Sequence, residues 1–253
     1  MSVFGLQFIA MVTMFCDHLG STFFDNMVAM RCVGRFAFII YAFLLAEGYR
    51  HFKNDDSRVS RHLGDYVVLA IISEIGYDLM EAKHFVASEI IDSQSAMITL
   101  LLGFLGLIAI EKWHDKPLQK WSAILLTALM SFFAMSNYKF AGPLLIYAFY
   151  YYQEHYLEKS YLTRLAFVLG IFVLYIPIYH WARYNFCDYT TFLKTLHGAN
   201  TMWYLTHIPI ACLIASYKGE LGIISSSFKK VYRAFYPAHL FVLGIIFQLF
   251  FNR

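Results

Sequence analysis

Two ionisable residues stand side by side in the first membrane-length apolar stretch of this chain. Asp17 and His18 lie between Phe4 and Phe24, where a charged side chain in hydrocarbon costs roughly 2.5 to 3.5 kcal/mol. Such a pair is expected to face a protein interior or a water-filled cavity. A neutral imidazole oriented by a carboxylate is also the usual apparatus of a general base or an acyl acceptor. Asp17 and His18 are therefore the first candidates for catalysis.

A second set of polar residues recurs at helical spacing in other apolar stretches. Arg31 and Arg35 lie four residues apart, and so do Glu74 and Asp78, so each pair shares a helix face. The predicted supporting polar site consists of Arg31, Arg35, Glu47, Glu74, Asp78, Tyr236 and His239. A structural interpretation carries equal weight, because intramembrane arginines must pair with carboxylates. Consecutive helix positions project about 100° apart, so Asp17 is free to serve an arginine rather than its neighbouring histidine.

The composition identifies an integral membrane protein. The chain has 253 residues, of which 59% are hydrophobic, 19% aromatic and 15% charged, and its mean hydropathy is +0.53. These values lie outside the range of soluble domains. Because the apolar runs have helical length and follow one another with short gaps, they predict an all-α, polytopic bundle that forms one domain over residues 1–253.

The apolar runs predict about nine transmembrane helices. Their expected bounds are 4–24, 28–49, 65–80, 95–113, 121–136, 139–153, 164–181, 202–217 and 235–251. Two of them, 65–80 and 139–153, are shorter than the roughly 20 residues that a perpendicular span prefers. The segment from Asn54 to Gly64 is expected to be the longest polar loop.

Lysines and arginines predict the orientation in the membrane. They concentrate after the second, fourth, sixth and eighth helices, which the positive-inside rule assigns to the cytoplasm. The N-terminus is therefore expected inside and, after nine spans, the C-terminus outside. The other loops offer only Lys83, Lys139, Arg183 and Lys194. The formal net charge of +3 follows this topology, and no nucleic-acid partner is expected.

Some of the cytoplasmic cations are candidates for binding the phosphates of a nucleotide-bearing donor, because arginine forks match phosphate geometry. They are Arg50, Lys53, Arg58, Arg61, Lys229, Lys230 and Arg233. Topology alone accounts for such loops in any protein inserted in this way. Donor binding is therefore an additional hypothesis about residues that insertion already requires.

Several classes of site are excluded by their missing motifs. The chain has no HExxH, no P-loop, no GxSxG and no GxGxxG, and no metal site is predicted. Cys16, Cys32, Cys187 and Cys212 show no metal-ligand spacing and are expected to remain free thiols. Taken singly, His207 and His239 are each expected to be a structural histidine.

Three functions remain open on the residues alone. One is a membrane enzyme that uses His18. Another is a proton-coupled transporter or flippase in which Asp17, Glu74 and Asp78 form a relay. A non-enzymatic assembly factor is the third.

Six stretches of the chain, in their order and spacing, resemble the TraX family of membrane acetyltransferases. They are IAMVTMFCDHLG, VGRFAFIIYAFLLAEGYRHFKN, ISEIGYDL, AMITLLLGFLGLIAIEKW, KFAGPLLIYAF and YRAFYPAHLFVLGII. The resemblance runs nearly end to end, and the family is named for a protein that N-acetylates the pilin of a conjugative plasmid. It is similar in turn to a wider superfamily of transmembrane acyltransferases. Where the family often has a proline in the second helix, this chain reads RFAFIIYAF.

The resemblance implies an acetyltransferase of the bacterial inner membrane that uses cytosolic acetyl-CoA. The implied acceptor is an amine or hydroxyl on the outer side: a pilin or other protein N-terminus, an exported glycan or a small amine. His18 is the implied catalytic residue, with Asp17 beside it. His18 would act as a general base or as a transient acetyl carrier, and both routes stay open. Arg35, Glu47, Glu74, Asp78, Tyr236 and His239 also match the family.

Overall fold

The fold is a bundle of antiparallel helices. The computed structural model describes residues 1–24, 27–81, 93–183, 205–222 and 225–250. Within these ranges the helices are α1 Val3–Phe23, α2 Val28–Phe52, α3 Asp56–Glu81, α4 Ala96–Lys112, α5 Pro117–Phe133, α6 Ala141–His155, α7 Tyr161–Arg183, α8 His207–Ala215 and α9 Ser226–Phe250. An isolated bridge joins Gln94 to Ser136. The predicted all-α class is confirmed for the described part of the chain.

Four of the described helices are long and apolar enough to cross a bilayer. They are Val3–Phe23, Ala29–Phe52, Tyr161–Arg183 and Ser226–Phe250. Helices α4 and α5 have 17 residues each and α6 has 15, fewer than the roughly 20 of a perpendicular span. The chain thus has the features of a helical membrane protein, and the number of nine spans stays a prediction.

Two helices begin well before their predicted starts. Helix α3 begins at Asp56, so the expected polar loop from Asn54 to Gly64 is wrong, and α9 begins at Ser226 rather than at residue 235. Hydropathy detects the part of a helix that meets hydrocarbon and misses polar turns that extend beyond it. The cations of these segments therefore lie on the first turns of two helices.

Local sequence explains several helix starts. The Ser2 hydroxyl accepts a hydrogen bond from the Gly5 amide at 3.3 Å, and the Ser225 hydroxyl accepts one from the Phe228 amide at 3.1 Å. Each satisfies an amide that has no intrahelical partner in the first turn. Pro117 occupies the first turn of α5, where its missing N–H is not needed.

Helix α2 is the centre of the bundle, and glycines let its neighbours approach closely. In the most apolar part of α2, 61% of the residues are buried, against 33% for α1 and 28% for both α7 and α9. A Cβ at Gly34 would lie 2.2 Å from the Cβ of Asp17 on α1. Gly76 and Gly244 play the same part between α3 and α9. Small residues at helix crossings are typical of membrane bundles, where close packing replaces the hydrophobic effect.

The helices alternate in direction, so that one end of the bundle gathers most of the basic residues. There the Val3 amide donates to the Glu220 carbonyl at 2.9 Å, and Arg164 donates to the Tyr217 carbonyl. These bonds bring the starts of α1 and α7 to the end of α8. We call this the basic end, and the other the opposite end.

The predicted cysteines and loop lysines are partly within the described residues. Cys16, Cys32 and Cys212 are free thiols, as predicted. Cys187, Lys83 and Lys194 lie outside the described residues, so the predictions about them stay open.

Candidate active site

The candidate site is built around a pair of histidines on the first and last described helices. His18 of α1 and His239 of α9 approach to 2.7 Å between Nδ1 of His18 and Nε2 of His239. Their ring centroids are 4.9 Å apart and their planes differ by 7°. A nitrogen separation so much shorter than the centroid separation means that the rings meet edge to edge in nearly one plane. This geometry is that of a direct N–H···N hydrogen bond.

A backbone carbonyl determines which nitrogen of each ring carries hydrogen. Nδ1 of His239 lies 2.7 Å from the Phe235 carbonyl oxygen, which can only accept, so this nitrogen carries the hydrogen. In a neutral imidazole Nε2 of His239 is then an acceptor, and Nδ1 of His18 must be the donor. Nε2 of His18 is left with an available lone pair. These two hydrogen bonds therefore leave Nε2 of His18 as a basic, nucleophilic nitrogen in a fixed position.

Tyr236 holds the pair from one side. Its ring is nearly perpendicular to both imidazoles, at 6.3 Å and 74° from His18 and at 5.6 Å and 81° from His239. The side chain is buried and interacts with the backbone of Ala96 at the start of α4. Tyr236 and His239, both predicted for the supporting polar site, thus lie together beside His18.

Asp17 turns away from the histidines and toward α2. Its Oδ1 lies 3.6 Å from a guanidinium nitrogen of Arg31, and its side chain is 14% exposed. The same carboxylate packs on the backbone of Gly34. Among the described residues its ion pair is with α2, while the ring contacts of His18 are with α9. The structural interpretation, in which Asp17 neutralises an arginine, is confirmed for Arg31.

Arg35 is a buried cation near the site that interacts with several tyrosines. It is 8% exposed and interacts electrostatically with Asp17, Tyr138 and Tyr179, and also with His18. Arg31, Arg35 and Asp17 together carry one positive charge. An anion that enters this region would meet a guanidinium group and tyrosine hydroxyls in a low-dielectric setting, where such contacts are strong.

Glu74 on α3 binds a backbone amide, which differs from the predicted pairing of the α3 carboxylates with arginine. Both oxygens of Glu74 accept from the Ser95 amide, at 3.3 and 3.0 Å, immediately before α4. A carboxylate in this position satisfies an amide of the first turn, and its negative charge interacts favourably with the positive end of the helix dipole. Asp78 is half-buried one turn further along α3 and interacts electrostatically with Glu74.

Glu47 belongs to the basic end rather than to the histidine site. It is 2% exposed and pairs with Arg50 at 3.1 Å and His51 at 2.9 Å. The Tyr217 hydroxyl donates to the same carboxylate at 2.8 Å. Glu47 therefore joins the end of α2 to the segment after α8.

The predicted donor-binding cations fall into two groups. Four are paired with carboxylates: Arg50 with Glu47, Lys53 with Glu111 and Glu154, Arg58 with Asp55, and Arg233 with Asp65. The other three, Arg61, Lys229 and Lys230, are exposed and form no ion pair with the part of the chain that is described. The contact of Arg233 with Asp65 brings the N-terminal parts of α3 and α9 together at this end.

The sequence analysis missed several buried aromatic and imidazole groups. Tyr138, Tyr175 and Tyr179 interact electrostatically with Arg35, and the adjacent His180 is 3% exposed. The only signal in the sequence was the four-residue spacing of Tyr175 and Tyr179, which is common on apolar helices. His207 is buried and meets the Phe172 ring edge-on at 5.2 Å, consistent with the predicted structural role. The described residues contain no group of three or more His, Cys, Asp or Glu side chains that could hold a metal ion.

The fold and the site together define a helical membrane protein with an oriented histidine pair between its first and last described helices. The model of the TraX protein family matches residues 4–247. The chain therefore belongs to the TraX family. Comparison with curated proteins and with solved structures gives no match.

Proposed function

We propose that the protein is a membrane-embedded acetyltransferase. It moves an acetyl group from acetyl-CoA to the amine or hydroxyl of an acceptor molecule, and His18 catalyses the transfer. The observation that carries the proposal is the bond sequence from His18 through His239 to the Phe235 carbonyl. It leaves Nε2 of His18 as the available base or nucleophile. Membership of a family named for pilin acetylation supports the choice of reaction.

Two routes use the same nitrogen. In direct transfer, Nε2 of His18 takes the proton of the acceptor amine as that amine attacks the thioester carbonyl. The tetrahedral intermediate then expels the CoA thiolate, which receives the proton from Nε2. In covalent transfer, Nε2 itself attacks the carbonyl and expels the thiolate. The acceptor then attacks the acetyl carbon, the bond from that carbon to Nε2 breaks, and the acceptor proton passes to the CoA thiolate. Either way the imidazole becomes cationic, and the hydrogen bond to His239 stabilises that charge.

The basic end is proposed to receive the nucleotide of acetyl-CoA. Its exposed cations Arg61, Lys229 and Lys230 suit phosphate groups. From Lys230 to His239 the rise along α9 is about 14 Å, which the pantetheine arm would have to cover. We further propose that the basic end is cytoplasmic, in a bacterial inner membrane, and that the C-terminus lies outside.

The acceptor is proposed to reach His18 from the opposite end. His18 lies about 22 Å along α1 from Val3 at the basic end, beyond the midplane of a hydrocarbon core of about 30 Å. Donor and acceptor would therefore approach one nitrogen from two sides.

The proposal is tested by release of CoA from acetyl-CoA by the purified protein when a primary amine is added. The variant His18→Ala should abolish this release, and His155→Ala, which changes an exposed histidine at the basic end, should not. Size-exclusion profiles in detergent report whether each variant is folded. Turnover that survives His18→Ala in a folded protein would contradict the proposal. Wild-type protein without CoA release would favour the transporter or the assembly factor instead.

A further inference from the structure

An aromatic stripe on α9 runs from the basic end to the histidine pair. It shares one face of the helix, because its members are spaced by four, four and three residues: Phe228, Tyr232, Tyr236 and His239. The ring of Phe228 meets that of Phe4 at the start of α1, with centroids 4.6 Å apart. At the other end of the stripe, His239 contacts His18 of α1. The stripe therefore meets α1 both at the basic end and at the proposed catalytic nitrogen.

Tyr41 on α2 reaches the middle of this stripe. Its ring stacks on Tyr232, with centroids 5.7 Å apart and planes that differ by 19°. Its hydroxyl oxygen is buried and has no hydrogen-bond partner among the described residues. A buried tyrosine hydroxyl normally has a partner, because an unsatisfied one costs free energy. Stability of the bundle does not explain this hydroxyl, since phenylalanine would fill the same space without that cost.

A second buried polar atom lies along the same path, on α1. Gln7 and His18 are 11 residues apart, which is close to three helical turns, so they share a face of α1. The amide oxygen of Gln7 is also buried without a hydrogen-bond partner in the part of the chain that is described. Along the helix, Gln7 lies about 16 Å from His18 on the side of the basic end. A polar ligand that extends from the basic end to His18 would meet groups able to bind it.

The position of Tyr41 fits the pantetheine arm of the proposed donor. From Tyr232, the ring on which Tyr41 stacks, the rise along α9 to His239 is about 10.5 Å. In an extended arm the farther of the two pantetheine amides lies about 9 Å from the thioester carbon, and the nearer amide about 5 Å. With the thioester at Nε2 of His18, the farther amide therefore reaches the level of Tyr41, and the nearer amide does not.

We infer that Tyr41 binds the acetyl donor, and that its hydroxyl donates a hydrogen bond to the carbonyl of the farther pantetheine amide. This bond gives a partner to a buried hydroxyl and to a carbonyl that leaves water, so both groups are satisfied when the donor binds. The inference rests on the proposed acetyl transfer, because that proposal supplies the donor and places its thioester at His18.

The experiment uses the purified full chain in detergent, a water-soluble primary amine and three thioester donors. Acetyl-CoA and S-acetylpantetheine carry both amides, whereas S-acetyl-N-acetylcysteamine carries only the nearer one. Tyr41→Phe should lower kcat/KM about tenfold with the first two donors, mainly through KM. With the third donor the kcat/KM of this variant should equal that of the wild type.

Tyr152→Phe is the matched control. The Tyr152 hydroxyl is likewise buried with no hydrogen-bond partner within the described ranges, but its ring packs on Phe167 of α7, at 6.0 Å between centroids. This variant should leave kcat/KM unchanged with all three donors. Without donor, both variants should raise the unfolding temperature by about 2 to 4 °C, because each removes an unsatisfied buried hydroxyl.

Three results would overturn the inference. One is an unchanged kcat/KM of Tyr41→Phe with acetyl-CoA, and another is an equal loss with all three donors. The third is a lowered unfolding temperature of the donor-free Tyr41→Phe variant, since the protein itself would then satisfy the hydroxyl.

Equilibrium binding of CoA separates failure of this inference from failure of the proposed function. Turnover that Tyr41→Phe does not change would contradict only the role of Tyr41. CoA binding that Tyr41→Phe weakens about tenfold, in a wild-type protein that does not release CoA from acetyl-CoA, would support the donor site and contradict the acetyl transfer. A wild-type protein that binds no CoA would overturn both.

Discussion

His18 and His239 are 221 residues apart in the chain and 2.7 Å apart in the structure. The second imidazole takes the place that a carboxylate has in a serine hydrolase triad, and the Phe235 carbonyl holds the second imidazole. A neutral partner orients His18 without placing a negative charge in hydrocarbon, where such a charge is costly. The arrangement is suited to a site inside a membrane bundle.

His239→Ala should lower kcat for acetyl transfer about 10- to 100-fold, as losses of orienting partners commonly do. The KM for acetyl-CoA should change little, because His239 is assigned no contact with the donor. His239→Gln should restore part of the activity, since its amide oxygen can accept from Nδ1 of His18. Steady-state kinetics in detergent measure both constants. Equal losses in the Ala and Gln variants would contradict an orienting role.

Gly34→Ala should destabilise the protein by about 1 to 3 kcal/mol, the usual range for overpacking. The added Cβ would lie 2.2 Å from Cβ of Asp17, and α1 and α2 would have to separate. Gly48→Ala on the same helix is the control, because its nearest atom is a ring carbon of Phe52 at 3.7 Å. Alanine there should be neutral or stabilising. Thermal unfolding in detergent distinguishes the two variants, and equal effects would argue against tight packing at Gly34.

Asp17→Asn and Arg31→Gln should be coupled in a double-mutant cycle on stability, by about 0.5 to 3 kcal/mol. The reason is their ion pair at 3.6 Å. The cycle of Asp17→Asn with His239→Gln should be additive within about 0.5 kcal/mol, because the carboxylate and the histidine pair have separate partners. Coupling in the second cycle and not in the first would mean that Asp17 orients His18 after all.

Glu74→Ala should destabilise the protein by about 1 kcal/mol, typical of a lost helix cap. Glu74→Gln should be milder, since its amide oxygen can still accept from the Ser95 amide. Thermal unfolding measures both, and CoA release should persist in the Gln variant. A proton relay through Glu74 requires the opposite result. Glutamine cannot titrate, so the Glu74→Gln variant would be as inactive as the Glu74→Ala variant.

Lys229→Gln combined with Lys230→Gln should raise the KM for acetyl-CoA roughly tenfold at low salt and leave kcat unchanged. Exposed charge pairs contribute up to about 1 kcal/mol each, and added salt should weaken their effect. Lys116→Gln combined with Lys120→Gln is the control, since these lysines lie at the start of α5 and not on α3 or α9. If both double variants had a similar KM for acetyl-CoA, the proposal that the donor binds at the start of α9 would be wrong.

The sequence predicted the parts of this fold that depend on hydropathy. Apolar runs gave the helices and their approximate order, and the cost of a buried charge singled out Asp17 and His18. The polar first turns of α3 and α9 escaped prediction because they lie beyond the apolar segments. The bond between His18 and His239 could not be predicted either, since helix periodicity gives the face of each residue and not the partner of that face. The partner of Glu74 was missed for the same reason.

The contact between the first and last described helices also has a consequence for synthesis. Helix α1 emerges from the ribosome first, yet the ring that orients its histidine and the carbonyls that bind Val3 and Phe4 come from residues 220–239. A nascent chain that has inserted only its early helices therefore contains His18 without His239, the partner that fixes the tautomer of His18. Reactivity toward a thioester would arise only after residue 239 has been synthesised and inserted, so shorter nascent chains would not hydrolyse the donor.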